Sequence, residues 1–253
     1  MKANKRHEKI IELVKNHGYV NTEELVDKFN VSPQTIRRDL NELAEQNKIK
    51  RNHGGATLFT SSENSSYQIR KIANRDEKQK IAQKLVEHIP DDATLFIDIG
   101  TTPEAVAYEL LTRHQNLRIV TNNINVASIL MVKPDFKVIL AGGEVRNRDG
   151  GVTGEATMDF ISQFRLDFGI LGISGIDFDG SLLDFDYHEV RVKKAIIENS
   201  RKVFLGVDHS KFGRNAMVKL GRIDEVNLVI TDQTPPEEIC NILKENSIPL
   251  DIV

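Results

Sequence analysis

From about residue 75 onward, short apolar runs alternate with stretches of helical character. Parallel strands need long crossover connections, and these are usually helices, so the alternation predicts a mostly parallel β-sheet covered by helices. We therefore expect an α/β domain in this part of the chain. The predicted strands are residues 94–99, 117–121, 136–141, 168–173, 202–207 and 228–231, and the predicted helices are 103–111, 123–131, 155–164, 189–200 and 236–245.

The first 58 residues have a different pattern, with three short helices followed by a hairpin. Residues 5–17 form the first predicted helix, Asn21 can cap the second, and Ser32 followed by Pro33 is a typical start for the third. Residues 48–51 and 56–59 then indicate two strands around a glycine-containing turn. Three short helices and a hairpin predict a winged helix-turn-helix.

The boundary between these two regions is predicted in a polar, serine-rich segment, TSSENSSY at 60–67. Such a composition is typical of a linker. A chain of 253 residues is natural for a small module joined to a larger one. We expect a winged helix-turn-helix over residues 1–58, a linker over 59–74 and an α/β domain over 75–253.

The third predicted helix carries side chains suited to DNA. Its apolar residues face the core, which leaves polar residues on the outer faces of its first turns, the part of a helix-turn-helix that enters the major groove. Arginine and glutamine can each donate to or bridge a base edge, and hydroxyl and backbone N–H groups can bind phosphate. A polar face that binds protein is the alternative. The predicted DNA contacts are Ser32, Gln34, Thr35, Arg37, Arg38 and Asn41 on this helix, with Lys50 and Arg51 in the wing.

The charge of the chain is unevenly distributed. The formal net charge is −3, which by itself argues against a nucleic-acid partner. Residues 1–58, however, contain eleven Lys and Arg against eight Asp and Glu, which gives +3 and leaves −6 for the remainder. A positive end can face phosphate while the acidic body stays away from it.

Loops that follow the predicted strands have the chemistry of an anion pocket. Ligands of open α/β sheets bind outside the carboxyl ends of the strands, where glycine permits close approach and threonine hydroxyls and helix N–H groups can hold an anion. Each loop alone could be an ordinary turn, but several at one sheet edge predict a pocket for a small phosphorylated polyol. The predicted pocket residues are Asp98, Gly100, Thr101, Thr102, Thr121, Asn122, Asn123, Gly142, Gly143, Glu144, Arg148, Ser174, Gly175 and Lys211.

Several function classes are disfavoured. The sequence has no GxxxxGK[ST] phosphate loop, and no GxGxxG follows a predicted strand. The single cysteine, Cys240, excludes an internal disulfide and a CxxC metal site, and the seven histidines are not spaced as a metal cluster. Apolar runs stay far below the roughly 18 residues that span a bilayer, and the charged N-terminus is unlike a signal peptide. We expect no cofactor, no metal, no membrane contact and a cytoplasmic location.

The motifs resemble those of a known family. Arg6, Ile10 and Val14, followed by SPQTIRRDL at 32–40, resemble the helix-turn-helix signature of the DeoR family of bacterial repressors. RNHGGA at 51–56 is similar to the wing of that family. The segments 98–103, 121–123, 142–154, 172–180, 184–196 and 208–212 resemble its effector domain, whose fold is similar to that of ribose-5-phosphate isomerase. The resemblance covers essentially the full chain.

This resemblance implies a transcriptional repressor that leaves its operator DNA when a small effector binds. The stretches LFIDIGTTPEAVA at 95–107 and RDGGVTGEA at 148–156, with GISG at 172–175, resemble members that control glycerol metabolism. The implied effector is therefore glycerol 3-phosphate, with another sugar phosphate as the alternative. Reading paired half-sites requires a symmetric homo-oligomer, and the resemblance implies a tetramer.

Three charged positions have open interpretations. Asp39 is unexpected on a DNA-reading helix, and we expect it to orient Arg37 or Arg38, or to pair with a neighbouring basic residue. Glu189 and Lys193 lie four residues apart, so they can form a simple helix ion pair or lie beside the effector.

An enzyme is the alternative of a different class, namely a sugar-phosphate isomerase fused to a DNA-binding module. Its candidate acid–base groups would be Asp98, Asp184, Glu189 and Lys211. The resemblance implies binding without turnover, so we expect no catalytic residues.

Overall fold

The computed structural model describes residues 3–17, 19–46, 48–52, 54–58 and 67–253. The N-terminal part is a winged helix-turn-helix, as predicted. Its elements are α1 (Ala3–His17), β1 (Tyr19–Asn21), α2 (Thr22–Phe29), α3 (Pro33–Glu45), β2 (Ile49–Asn52) and β3 (Gly55–Leu58). The strands form one sheet in the order β1-β3-β2, so a third strand, β1, joins the predicted hairpin.

Local sequence explains where these helices begin. Asn21 and Glu24 form a capping box at the start of α2, which satisfies backbone N–H groups that a helix start leaves unpaired. Ser32 caps α3 by accepting a hydrogen bond from the Thr35 amide at 3.2 Å, and Pro33 follows at the first helical position. The apolar sides of the three helices meet in a small core. Its fully buried members include Ile10, Val14, Leu25, Ile36, Leu40 and Leu43.

Two helices connect this module to the larger one. They are α4 (Tyr67–Ile72) and α5 (Arg75–Val86). The first lies within the range 59–74 that the sequence predicts as a linker, so the last part of that range is helical; residues 59–66 lie outside the described residues. Tyr67 is buried, and its hydroxyl donates to Glu104 at 2.6 Å, which ties α4 to the α/β domain.

The larger part is built on a seven-stranded sheet in the order β15-β14-β12-β9-β4-β5-β6, and every pairing in it is parallel. This confirms the α/β prediction. Its strands are β4 (Thr94–Ile97), β5 (Arg118–Thr121), β6 (Lys137–Leu140), β9 (Leu166–Leu171), β12 (Ser200–Gly206), β14 (Leu228–Thr231) and β15 (Leu250–Ile252).

Helices cover both faces of this sheet. They are α6 (Thr101–Arg113), α7 (Ile124–Leu130), α8 (Glu155–Ser162), α9 (Tyr187–Glu198) and α10 (Glu237–Glu245). One apolar layer packs the sheet against α5, α6 and α7, and the other packs it against α8, α9 and α10. Within the described ranges, none of the helices is both long and apolar enough to cross a membrane.

Short elements that the alternation does not predict stand near the ends of the main strands. An antiparallel sheet contains β10 (Gly175–Ile176), β11 (Ser181–Asp184) and β13 (Val218–Arg222), and a hairpin pairs β7 (Glu144–Val145) with β8 (Val152–Thr153). Two 3-10 helices are η1 (His209–Lys211) and η2 (Ile223–Glu225). The strands β7, β8 and β10 have two residues each, too few to show a period of two in the sequence.

Candidate DNA-binding face and effector pocket

The outer face of α3 collects most of the predicted DNA contacts. Ser32, Gln34, Arg37, Arg38 and Asn41 are all exposed there, and Thr35 lies beside Ser32 with their hydroxyl oxygens 2.8 Å apart. The guanidinium of Arg38 is held by Glu42 at 2.9 Å, although 81% of its side chain is exposed. These polar groups can therefore reach a groove without unfolding the helix.

The two predicted wing residues differ from this set. Arg51 on β2 is half-buried, so it does not stand with the exposed residues of α3. Lys50 lies on the same strand, but its side chain is outside what the structure describes.

Asp39 is a buried structural partner and does not belong to the exposed face. Its carboxylate accepts hydrogen bonds from Arg6 at 2.5 and 3.0 Å and lies 3.0 Å from Nε2 of His7. Burial opposes ionisation of Asp39, but the hydrogen bonds from Arg6 and His7 outweigh it and leave the pKa of this carboxyl below its ordinary value. The expectation of a basic partner is confirmed, and that partner is on α1, which fixes α3 against α1.

A pocket lies at the carboxyl ends of β4, β9 and β12. Ligands of open parallel sheets bind at this edge. The structure brings five of the predicted residues together here: Gly100, Thr101, Thr102, Ser174 and Lys211. The remaining lining residues are Arg70, Ile99, Pro103, Gly172, Ile173, Glu189, Lys193, Gly206 and Arg214.

The first turn of α6 forms one wall of the pocket. Gly100 precedes the helix with φ of +146°, a backbone conformation that side chains rarely adopt, and a Cβ there would lie 3.1 Å from Cδ of Pro103. Glycine has no side chain to cap a helix, so the N–H groups of Thr101 and Thr102 receive no cap from it. Helix N-termini of this kind attract anions through their N–H groups and dipole.

Three cationic side chains form a second wall. Arg70 comes from α4, Lys211 from η1, and Arg214 from the loop after η1. Burial, together with the charges of Arg214 and other nearby cations, lowers the pKa of Lys211 to about 7, although Asp208 acts in the opposite direction. Burial and the charge of Arg70 lower the pKa of Arg214 to about 10. The charged forms of Lys211 and Arg214 are thus less stable here than they are in water, and a bound anion would stabilise them.

A third wall is acidic around a buried lysine. The ammonium of Lys193 lies 2.9 Å from Asp98, 3.2 Å from Asp184 and 3.0 Å from Glu189, and it donates to the Gly172 carbonyl at 2.8 Å. Burial opposes the charge on Lys193, but the carboxylates outweigh it and raise the pKa of this lysine. Glu189 and Lys193 are therefore an ion pair, as one interpretation predicts, and both line the pocket.

Asp98 and Glu189 differ in the number of cations beside them. Burial raises the pKa of Asp98 to about 6 despite the nearby Lys193. Glu189 gains a second cation, Arg146, at 2.8 Å, and together with Lys193 this keeps the pKa of Glu189 below its ordinary value in spite of burial. Asp98 lies beneath the pocket as a partner of Lys193 and is not a lining residue.

The predicted residues at the end of β5 support the site from behind. Thr121, Asn122 and Asn123 are fully buried. The Thr121 hydroxyl donates to the Ile97 carbonyl at 2.6 Å, and the Asn123 amide donates to Glu104 at 3.3 Å. They hold the neighbouring loops in place but do not line the pocket.

The other predicted residues lie outside the pocket lining. Gly142, Gly143 and Glu144 lead into the β7–β8 hairpin, and the side chain of Arg148 is half-exposed and contacts Asp186 at 2.8 Å. Gly175 lies behind the pocket, where a Cβ would come within 2.1 Å of the Arg214 carbonyl oxygen. This glycine allows the loop that carries Arg214 to approach.

Two charged residues of the pocket lining are not predicted from the sequence. Arg70 lies in the range predicted as a linker, and nothing in its local sequence connects it to a strand end. Arg214 follows Lys211 by three residues, and the cluster of basic residues in KFGR at 211–214 is the signal that could have found it. Among the residues that the structure describes, no group of three His, Cys, Asp or Glu side chains could hold a metal ion.

Known protein families match the chain in two blocks. Residues 6–62 match the DeoR-like helix-turn-helix domain, and residues 73–233 match the DeoR C terminal sensor domain. The chain is 67% identical over 252 residues to the glycerol-3-phosphate regulon repressor of Escherichia coli strain K12, with 100% of both chains covered. It is 58% identical over 250 residues to the glycerol-3-phosphate regulon repressor of Haemophilus influenzae, with 99% of this chain and 97% of the relative covered.

A more distant likeness is found among solved structures. Ribose 5-phosphate isomerase A from Methanocaldococcus jannaschii is similar over 55% of each chain, with 15% sequence identity and a TM-score of 0.41. A likeness of this extent says nothing about reaction or substrate. The two relatives that match along the whole chain at 67% and 58% identity are both named as repressors.

Proposed function

The chain belongs to the DeoR family, and from that premise we propose that it represses genes of glycerol 3-phosphate metabolism and leaves its operator when glycerol 3-phosphate binds. In this proposal α3 reads the operator and the pocket beside α6 holds the effector. The whole-chain relatives are repressors and not enzymes, so the pocket binds without turnover.

The observation that carries the proposal is that one pocket lining contains both cations and hydrogen-bond acceptors. Lys211, Arg214 and Arg70, with the first turn of α6, suit a phosphate dianion. Glu189 and Ser174 of the same lining offer oxygens that can accept hydrogen bonds from hydroxyl groups. A small polyol with a phosphate at one end presents both kinds of group.

The exposed face of α3 supports the DNA-binding half of the proposal. Arg37 and Arg38 can donate to guanine, and Gln34 can bridge adenine. The capped start of the helix, with Ser32 and Thr35, can lie against phosphate. Because helix-turn-helix proteins read paired half-sites, the working form in this proposal is a cytoplasmic homo-oligomer, specifically a tetramer.

Release from the operator follows from linkage. If the effector binds more tightly to a conformation with poor operator geometry, it shifts the population toward that conformation. The same coupling requires that operator DNA weaken effector binding by the same factor.

A mobility-shift titration on the promoter of a glycerol-use gene tests the proposal. We expect glycerol 3-phosphate to release the DNA at concentrations where glycerol, inorganic phosphate and ribose 5-phosphate do not. Release at lower concentration by another sugar phosphate would reassign the effector within the same class. Absence of a shifted complex at every salt concentration would contradict DNA binding, and measurable conversion of ribose 5-phosphate would contradict binding without turnover.

A paired variant separates the two halves of the function. Replacing Thr101 and Thr102 together by alanine removes two hydroxyls from the α6 wall but leaves α3 unchanged. We expect this protein to bind the operator as the unchanged protein does and to need more glycerol 3-phosphate for release. A parallel loss of operator binding would show that the substitutions act on the fold instead.

A further inference from the structure

The short helix η1 touches three parts of the molecule. Its last residue, Lys211, lines the pocket. Its residue Ser210 and the preceding Asp208 accept hydrogen bonds from Asn74, at 3.2 and 2.8 Å. Its first residue, His209, faces the DNA-binding module. These three contacts lie within four consecutive residues of the chain.

The contact with the DNA-binding module has a defined geometry. Nε2 of His209 lies 3.8 Å from Oε1 of Glu24 on α2, and η1 packs beside β1. Asp232 fixes the His209 ring, because its carboxylate lies 2.6 Å from Nδ1 and also accepts the His209 amide at 2.7 Å. Burial lowers the pKa of His209, but the hydrogen bond and charge of Asp232, together with the charges of Asp208 and Glu24, outweigh it and raise the pKa, which favours the charged form that attracts Glu24.

The contact at Asn74 ties the same helix to the turn between α4 and α5. Asn74 has φ of +51° and stands between α4 and α5. The ammonium of Lys78 on α5 donates to the carbonyls of Arg70 and Ala73, which holds the end of α4 in place. Arg70 in turn lines the pocket. The pocket is thus connected to α4 and to η1, and η1 meets the DNA-binding module.

We propose that η1 is an internal docking surface for the chain's own DNA-binding module, and that a phosphate group held by Lys211 acts on this contact. This inference rests on the proposed function for the identity of the effector. Lys211 and His209 belong to one hydrogen-bonded turn and only Ser210 separates them, so a backbone shift of Lys211 toward a bound phosphate is passed on to His209. The movement therefore acts on β1 and α2 of the DNA-binding module.

The exposed face of α3 fixes the direction of the effect. The docking contact uses Glu24 and β1, and it leaves Gln34, Arg37 and Arg38 exposed. The docked arrangement is therefore compatible with DNA, and weakening the contact favours the released form. Variants that lose it need less effector to leave the operator.

A double-mutant cycle tests the contact. The variants are Glu24→Gln, His209→Gln and both together, and the readout is the glycerol 3-phosphate concentration that releases half of the operator. Glutamine at position 24 keeps an acceptor for the α2 capping box. A partly exposed ion pair of this kind changes an equilibrium constant by at most about a few-fold. We therefore expect each single variant to lower the half-release concentration about two- to five-fold, and the double variant to match the singles.

Two matched controls accompany the cycle. Glu23→Gln changes the neighbouring exposed carboxylate at the same helix start, and His88→Gln changes another histidine of the larger domain that pairs with an aspartate, Asp251 at 2.7 Å. We expect both to behave as the unchanged protein does. Equal behaviour of test and control variants, or additive effects in the double variant, would overturn the proposal.

A cross-linking experiment tests docking without any operator. Cysteines are placed at positions 24 and 209 in a protein carrying Cys240→Ser, and a short thiol-to-thiol reagent is added. We expect an intramolecular cross-link that glycerol 3-phosphate diminishes, and little cross-link when position 23 replaces 24. No cross-link, or one indifferent to glycerol 3-phosphate in a protein that it releases from DNA, would overturn the docking proposal. Failure of glycerol 3-phosphate to release the unchanged protein, with the cross-link formed, would instead overturn the proposed effector.

Discussion

Two lysines on different walls of one pocket have opposite surroundings. Lys193 lies among three carboxylates within 3.2 Å, and its pKa is raised. Lys211 lies among cations with one carboxylate, Asp208, at 4.0 Å, and its pKa is lowered to about 7. The chain itself balances the charge of Lys193 and only partly balances that of Lys211. Lys193 therefore stabilises the site, whereas Lys211 can pair with the anion of a bound ligand.

The largest expected effect is loss of stability in Lys193→Met. Removal of this ammonium leaves Asp98, Asp184 and Glu189 buried without their shared cation, which we expect to cost about 3–5 kcal/mol of unfolding free energy. Denaturant unfolding followed by circular dichroism measures it. Lys194→Met, one residue along the same helix and exposed, is the control. Similar stability of the two variants would remove the structural half of the comparison.

Lys211→Met is expected to spare the fold and disable the response. A hydrogen bond to a charged group contributes about 1.5–3 kcal/mol, so the effector concentration for half-release should rise about 10- to 100-fold. The operator mobility shift measures this, with Lys202→Met, an exposed lysine of β12, as the control. An unchanged half-release concentration would mean that the anion binds elsewhere.

The DNA-binding module repeats the contrast between balanced and outward-facing charges. Arg6 is buried against Asp39, whereas Arg37 is exposed on the reading face. We expect Arg37→Ala to cost about 1–3 kcal/mol of operator affinity and to relax preference at one base pair. Mobility shifts on operator and scrambled DNA measure both. Equal weakening on both DNAs would assign Arg37 to phosphate instead of a base.

Proton uptake is the smallest and most specific expected signal. Because burial lowers the pKa of Lys211 to about 7, this side chain is mostly neutral at pH 8, and a bound phosphate raises its pKa. Binding at pH 8 should therefore take up close to about one proton, and affinity should fall as pH rises above 7. Calorimetry in two buffers of different ionisation enthalpy measures the uptake. The same uptake in Lys211→Met would contradict the assignment.

The sequence predicts much of the fold because its signals are local. Ser32 and Pro33 mark the start of α3, and the strand over 228–231 coincides with β14. Strand order and the antiparallel sheet of β10, β11 and β13 depend on contacts between distant segments, and these strands are too short for a clear pattern. The α4 helix is only six residues long and follows a polar stretch, which explains why a linker was expected there.

The pocket shows the same division between local and distant information. Gly100, Thr101 and Thr102 follow a predicted strand and open a helix, so their place is readable from sequence. Arg70 reaches the pocket from a segment before the sheet begins, and no periodicity indicates that. Conversely, Asn122 and Asn123 have the right composition for a ligand loop but are buried as supports, with Asn122 donating to the Val152 carbonyl and Asn123 to Glu104.

Calorimetry of glycerol 3-phosphate binding, with and without saturating operator DNA, tests whether effector and operator binding are coupled. We predict that the operator complex binds the effector more weakly than the free protein does. The factor should equal the one by which saturating effector weakens operator binding. Equal effector affinities for the free protein and the complex would contradict it.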